Sequence, residues 1–537
     1  MAKSQSWEVS DAFWRHSMRE TNWEALISKL DEMEEKARIS GGLEKQEKER
    51  QRGKMTARER VLAVLDAGTF VEINMLAETQ TFDFEMQKKK IVGDGVVTGY
   101  GRIEGRRVFI FSQDVTVFGG SAGKGQGEQI NYVLRLARKM KAPVIGLYES
   151  AGGRLQDGIE NEAGYGRMFW ENTQCSGIIP QISAILGACT GGAVYSPALT
   201  DFIFQVDKTS QMFITGPAVI KSVMGEQVSF EDLGGAKIHT SKSGVAHFCL
   251  SNESELSPAI RRLFGYLPSN NREKPPLKEA RDPYDRKVPR LQDVVPVAKN
   301  KSYDMHEVIR EIVDDGDYLE VQPGFARNII ICFARFAGRS VGIVANQPRF
   351  MAGVIDIDAA DKAARFIRFC DAFNIPLVTL VDVPGYMPGT EQEHRGIIRH
   401  GAKMLYAYSD ASVPMVSVVL RKSYGGAIPA MNCHETGADQ FFVWPTAEFA
   451  MMGSEPAVNI LYRREIERAQ DPEAVRQLKI QEYEDTFSTP YFAASKQYVD
   501  AVIRPEDTRT AITNALLMLE NKEEAPRVWR KHGNIPL

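Results

Sequence analysis

Residues 187–197 read Gly-Ala-Cys-Thr-Gly-Gly-Ala-Val-Tyr-Ser-Pro and hold the residue types best suited to chemistry in this chain. The apolar run 178–186 leads into them and reads as a buried strand. Gly191-Gly192-Ala193 then opens a helix. Paired glycines at such a junction let a ligand approach the backbone and leave N–H groups aimed at it. A helix start also carries partial positive charge, so an oxyanion developing there is favoured. The plainer alternative is a tight turn whose glycines only relieve crowding.

The chain contains this arrangement twice. Gly105 matches Gly338, Gly120 matches Gly353, Pro143 matches Pro376 and Gly152 matches Gly385, all at an offset of 233. Pro180 falls on Pro414, and Gly192-Ala193 on Gly426-Ala427, at an offset of 234. The second turn is Tyr424-Gly425-Gly426-Ala427, again after an apolar run, 416–420. Two oxyanion-type turns suit a reaction in which two carbonyl oxygens gain charge. A packing turn would be copied by duplication just as faithfully.

The elements that must position these turns alternate. From about residue 92, strands at 96–100, 107–111 and 144–148 interleave with a glycine loop at 118–123, a helix at 128–140 and a second glycine loop at 150–154. This predicts an α/β layered fold whose ligands sit at the loops after strand ends. Before it, Trp23, Leu26, Ile27, Leu30 and Met33 fall at helical spacing, giving an amphipathic helix up to Gly41-Gly42 that packs on the body or on a partner subunit. The charge run 44–54 reads as a solvated helix face, and Thr56 with Glu59 as a capping box. Proline-rich 268–300 reads as an interdomain linker. The expected organisation is an N-terminal helical extension (1–52), a first domain (53–290) and a second (291–537) that together form a tandem duplication.

With 537 residues, two large cores are expected. A net charge of −4 gives no reason to expect nucleic acid or an anionic membrane as partner. The six scattered cysteines form no C-x-x-C pair, so zinc is not expected and a reducing, cytoplasmic compartment is. No apolar run is long enough for a membrane span. Among the eight histidines, His239, His247, His394 and His400 form no metal-ligating spacing, and no metal is assigned. Asp356, Asp358 and Asp361 read as the start of a helix rather than a cation site. No nucleophile elbow or P-loop is present.

At these motifs the chain resembles the carboxyltransferase (β) subunits of biotin-dependent acyl-CoA carboxylases, in the branch of propionyl-CoA carboxylase and methylmalonyl-CoA decarboxylase. The resemblance rests on 54–60, 111–114 with 118–120, 191–201, 213–217, 233–236, 344–348, 382–386, 421–422 with 424–427, and 531–534. It implies two crotonase-like domains and a hexamer whose sites lie between the first domain of one subunit and the second domain of another. It implies that carboxybiotin, delivered on a separate carrier protein, releases carbon dioxide in the closed site. The ureido nitrogen then takes the α-proton of a coenzyme A thioester, and the enolate attacks carbon dioxide. Gly191 and Gly192 would hold the thioester oxygen, and Gly426 and Ala427 the biotin oxygen. Gly119, Gly120, Ser121, Gly152, Gly153, Ala193, Tyr195, Ile428 and Pro429 would contact the acyl-CoA, and Gly353, Tyr424 and Gly425 the biotin.

Two places depart from the family pattern. Residues 149–154 read Glu-Ser-Ala-Gly-Gly-Arg where Asp-Ser-Gly-Gly-Ala-Arg is common. Ile428-Pro429 replaces the Tyr-Asp of propionyl-type members, at a place that bears on substrate choice. No Ala-Met-Lys-Met biotinylation motif and no ATP-grasp loop occur, so biotin carboxylase and biotin carrier functions are expected on partner chains. A decarboxylase or transcarboxylase running on methylmalonyl-CoA is the alternative. A stand-alone hydratase, which would need Glu160 or Glu162 as base, and a non-catalytic scaffold are the others.

Overall fold

The near-continuous Val/Ile/Leu runs of the sequence become parallel strands covered on both faces, the environment such runs require. The computed structural model describes residues 23–81, 84–88, 91–524 and 530–537. In the first half the strands are β1 (Val71–Ile73), β2 (Val96–Ile103), β3 (Arg106–Gln113), β4 (Val144–Ser150), β5 (Gln181–Thr190), β6 (Phe202–Val206), β7 (Gln211–Phe213) and β8 (Phe248–Leu250). In the second they are β9 (Tyr318–Val321), β10 (Ile329–Phe336), β11 (Arg339–Asn346), β12 (Leu377–Val383), β13 (Met415–Tyr424), β14 (Gln440–Val443), β15 (Glu448–Ala450) and β16 (Ala501–Val502).

Two sheets result. One runs β1-β2-β3-β4-β5-β6-β8 with β7 beside β5, the other β9-β10-β11-β12-β13-β14-β16 with β15 beside β13. The orders are the same, and the sequence offset holds in three dimensions: β2/β10, β3/β11 and β4/β12 begin and end 233 residues apart, β5/β13 234 apart. Both sheets shift register at one place, between Tyr148 and Ser150 and between Val381 and Val383. Helices Lys124–Met140 and Ile357–Ala372 occupy equivalent crossovers after the glycine loops. The second opens on Asp356, whose carboxylate accepts from the Ala359 N–H at 2.9 Å, as a helix start and not a cation site requires.

Each half keeps a core of its own, within 96–246 and within 288–516, and a third cluster joins them. Phe202 of the first sheet packs on Phe369 (ring centroids 4.7 Å apart) and Phe333 (5.9 Å) of the second half. One buried cluster runs from Val61 through Leu186 and Phe264 to Phe333, Met404 and Phe441.

Several boundaries differ from the sequence expectation. Residues 1–22 of the N-terminal extension lie outside the described residues. Helix Trp23–Ile39 forms, and Trp23, Leu26, Ile27 and Leu30 are all exposed on it. The segment 44–54 is not simply a solvated face. In helix Leu43–Gln51, Gln46 and Glu49 are buried, because Gln46 reaches the Arg38 and Ile39 carbonyls and Glu49 pairs with Arg52. The capping box at Thr56 and Glu59 is present. Helix 128–140 starts earlier, at Lys124, where Asp157 accepts the Lys124 N–H at 2.7 Å. Within the proline-rich 268–300, one short helix, Leu291–Val294, forms.

A buried ionic network ties helix Ala57–Val64 to the first sheet. Arg60, 2% exposed, reaches Glu149 at 2.7 Å and Glu253 at 2.7 Å, while Lys54 also pairs with Glu149. Burial opposes the Arg60 charge, and Glu149 and Glu253 more than restore it, raising its pKa. Removing one partner of such a group strands the others in low dielectric. Arg60→Met is expected to destabilise the chain by about 3–5 kcal/mol, read as a lowered urea midpoint against wild type.

On the second sheet, His306 lies between Asp304 (2.7 Å) and Glu320 (3.0 Å), with Arg349 on the far side of Asp304 at 3.2 Å. Burial lowers the His306 pKa, but the Glu320 and Asp304 bonds outweigh it and the net shift is upward. A folded-state pKa raised above that of an unfolded histidine gives stability present below the unfolded value and lost as pH rises through the folded value. The urea midpoint of wild type should therefore fall more between pH 6 and pH 9 than that of His306→Gln. Equal pH slopes would rule out the linkage.

Candidate active site

Each glycine turn sits where a central strand ends against a loop from its neighbour. β5 ends at Thr190, and Gly191 (φ 63°) swings the chain into the short helical segment Gly191–Val194, followed by helix Tyr195–Ala198. β13 ends at Tyr424, and Gly425 (φ 58°) turns into helix Ala427–Ala430. A positive φ at the same step favours glycine in both copies.

In the second turn the donors can be followed individually. The Gly425 N–H goes to the Ala450 carbonyl at 2.8 Å and the Ile428 N–H to the Gly425 carbonyl at 3.1 Å. Gly426 and Ala427 then supply the N–H groups at the helix start, where first-turn donors have no intrahelical acceptor. Gly426 is exposed and Ala427 buried. Tyr386 flanks this turn: a Cβ on Gly426 would lie 3.8 Å from its ring, and its hydroxyl donates to the Gly401 carbonyl at 3.1 Å. Burial pushes the Tyr386 phenol up to about 12, so it stays neutral. In the first turn Tyr165 holds the corresponding place, 3.1 Å from a Cβ built on Gly192. Neither tyrosine is apparent from the spacing of the turns.

The first turn opens on a cavity of about 560 Å³ lined by Gly152, Gly153, Thr190, Gly191, Phe213 and Ile214, among others. This unites the two sequence-predicted glycine motifs, 150–154 and 191–193. It adds the 213–217 segment, one of the stretches that carry the family resemblance. Gly119, Gly120 and Ser121 lie in the adjoining loop, joined to the 150–154 loop by the Ala122 N–H to Gly152 carbonyl bond (2.8 Å) and the Arg154 N–H to Ala122 carbonyl bond (2.7 Å). Arg154 is buried against Asp94 at 3.0 Å and donates to the Ser121 carbonyl at 3.2 Å, clamping both loops. Gly119 is exposed, whereas Gly120 is buried where a Cβ would lie 2.8 Å from the Glu149 carbonyl. Gly353 repeats this 2.8 Å approach on the Asp382 carbonyl.

Ala193 is buried and Tyr195 exposed. The helix start is held from below: Tyr148 and Ser196 hydroxyls are 3.0 Å apart, Ser196 donates to Asn172 at 2.9 Å, and Asn172 donates to Gln181 at 3.0 Å. On the second side Ile428 packs on the core, and the Pro429 carbonyl accepts from the Thr436 hydroxyl at 3.0 Å. By the 234 offset Pro429 occupies the position of Tyr195. Tyr424 donates to Glu448 at 2.6 Å, which pairs with Lys299 at 2.5 Å.

Among the described residues no carboxylate stands ready as a base beside the first turn. Glu149 is locked to Lys54 and Arg60. Glu160 and Glu162 are exposed, and Glu160 pairs with Lys124 at 3.0 Å.

This geometry and the sequence agree with a known family. The family model described as "Carboxyl transferase domain" matches residues 48–535, and the chain belongs to that family. It is a carboxyltransferase chain of the propionyl-CoA carboxylase, methylmalonyl-CoA decarboxylase and transcarboxylase type. It is 54% identical over 511 residues to the methylmalonyl-CoA decarboxylase subunit alpha of Veillonella parvula, covering 95% of this chain and 99% of that one. It is 52% identical to the propionyl-CoA carboxylase carboxyltransferase subunit of Haloferax mediterranei, covering 96% and 99%. A crystal structure of transcarboxylase 12S, a hexamer with methylmalonyl-coenzyme A and methylmalonic acid bound, superposes with a TM-score of 0.94 at 48% identity, covering 96% of this chain and 99% of that one.

A side chain at Gly192 would strike Tyr165 and fill the approach to the turn. Gly192→Val is expected to lower turnover by about 10²–10³, the loss typical of an oxyanion site, with unchanged circular dichroism and oligomeric state.

Proposed function

We propose that this chain transfers a carboxyl group between carboxybiotin on a separate carrier protein and the α-carbon of a short-chain acyl-CoA. The observation that carries the reading is the pair of matched turns, Gly191-Gly192 and Gly426-Ala427, on equivalent strands of two like sheets. The first half, 53–290, takes the acyl-CoA and the second, 291–537, the biotin, as two crotonase-like domains descended by tandem duplication.

On the acyl side, Gly191 and Gly192 N–H groups stabilise the enolate oxygen formed when the α-proton leaves. Gly152 and Gly153, with the Gly119-Gly120-Ser121 loop, let the thioester lie close to the backbone. The second turn suits a ureido group: its N–H donors at Gly426 and Ala427 can meet a neutral carbonyl, and Tyr386 walls it with a neutral ring. Gly353, Tyr424 and Gly425 shape that pocket. Carboxybiotin, when bound, supplies the carboxyl group and, after its release, the nitrogen that accepts the α-proton. The lack of a free carboxylate base beside the first turn favours this division over a stand-alone hydratase, which would have to use Glu160 or Glu162.

Assembly follows from the surface. Ile214, Val223 and Met224 near the first turn, Met451, Ile460 and Leu461 near the second, and Trp23 and Ile27 on the N-terminal helix are all large, apolar and exposed. Such patches are rare on monomers. They support a homo-hexamer in which a first half of one subunit meets a second half of another. Biotin carboxylase and carrier partners complete a cytoplasmic complex. Among the described residues no helix is long and apolar enough to cross a membrane. The partner then sets the direction, so decarboxylation or transcarboxylation of methylmalonyl-CoA uses the same residues.

Purified protein with methylmalonyl-CoA and free biotin should release carbon dioxide slowly, and not without biotin. Biotin-independent hydration of an enoyl-CoA, with no decarboxylation, would overturn the reading. Pro429 stands where Tyr195 stands in the other half. Pro429→Asp is expected to change the ratio of kcat/KM for propionyl-CoA over butyryl-CoA by about 10-fold in the coupled carboxylation assay, the scale of one methylene's discrimination.

A further inference from the structure

A cavity of about 600 Å³ lies away from both turns, at the seam where β6 of the first sheet meets β9, β10 and helix Ile357–Ala372 of the second half. One wall is aromatic: Phe202, Phe366, Phe369 and Phe373. Its polar lining includes Asp201, His247 and Arg365, beside Arg368 and the Asp361–Lys403 pair (2.7 Å).

His247 is 7% exposed, and its Nδ1 accepts the Ile203 N–H at 3.1 Å. With Nδ1 fixed as acceptor, the neutral ring carries its proton on Nε2. Burial, with help from Arg365, holds the ring pKa down at about 3, so it is neutral at any working pH. Nε2–H has no acceptor among the described residues and is left for an acceptor in the cavity. Arg365, at the mouth, places one Nη on the Thr200 carbonyl at 2.7 Å and has no other hydrogen-bond acceptor among the described residues. Asp201 accepts the Gln181 N–H at 2.8 Å on Oδ2 and keeps Oδ1 as an open acceptor. The neighbouring Lys362 is not available: its ammonium donates to the Gln322, Phe325 and Ile329 carbonyls at 2.8–3.0 Å.

We propose that this seam cavity binds a small monocarboxylate that carries an apolar tail and a hydroxyl. The carboxylate lies in the fork of Arg365 and takes the His247 Nε2–H. The hydroxyl donates to Asp201, and the tail packs on the phenylalanine wall. A planar carboxylate matches a guanidinium fork. Because the cavity is walled by both halves, an occupant stabilises their packing and raises the melting temperature.

The probe is mandelate, titrated into the full-length assembled protein by calorimetry and thermal shift. Saturable binding with a rise in Tm is expected, about 10-fold weaker for phenylacetate, which lacks the hydroxyl, and for mandelamide, which lacks the charge. Arg365→Met should weaken mandelate by about 10-fold or more, and Ala372→Trp, which fills the cavity from the helix end, should abolish it. Circular dichroism of each variant verifies its fold, and where Ala372→Trp fails to fold, Arg365→Met and the ligand pair decide alone. Gly192→Val should bind mandelate as wild type does. No saturable binding at millimolar mandelate, or binding lost in Gly192→Val yet unchanged in Arg365→Met, would overturn the proposal.

Discussion

A buried carboxylate at the end of the fourth strand anchors each half. Glu149 ends β4 and Asp382 ends β12, 233 residues apart, and each has its backbone N–H held at 3.1 Å by an amide side chain of the preceding strand, Gln113 or Asn346. Each needs a cation, since a lone carboxylate in low dielectric would not stay ionised. Asp382 finds Arg421 at 2.9 Å on the adjacent β13. At the equivalent place on β5 stands Gly187, and a side chain there would collide with the Glu149 carboxylate. The first half therefore draws its cation from outside the sheet, through Arg60 and Lys54 of the N-terminal segment.

From that anchor the two sites follow. The register shift after Tyr148 and after Val381 lies beside the carboxylate. It lets the neighbouring strand run on for several residues past the main body of the sheet, to Thr190 and Tyr424. The glycine turns therefore stand proud of the sheet edge rather than in its core. Gly120 and Gly353 press on the carbonyls of the two acids, which brings the other loop to the same edge. Backbone donors, not reactive side chains, are what this frame delivers, and that fits a reaction whose proton acceptor comes with a second molecule.

The halves differ in sequence around their turns. Val194-Tyr195 faces Ile428-Pro429, Thr190 faces Tyr424, and only the second copy backs its turn with the Lys299, Glu448 and Glu484 cluster. The shared aromatic core at Phe202, Phe333 and Phe369 binds them into one body. Any change at the seam is thus felt by both sheets.

The sequence by itself determined the α/β class, the doubling, both glycine turns and the Thr56–Glu59 cap. These depend on local spacing, on backbone freedom at glycine, and on the constant offset that duplication leaves. The resemblance of its motifs added the family. Tertiary structure alone decided which side chains reach those turns. Tyr165 and Tyr386 arrive from separate helices and loops, Arg60 crosses 89 residues to Glu149, and Glu49 turns inward within a segment that reads as solvated. The seam cavity likewise joins Asp201, His247 and Arg365 from distant stretches. Such contacts depend on long-range burial, where one charge's partner is chosen by packing, and no periodicity along the chain records that choice.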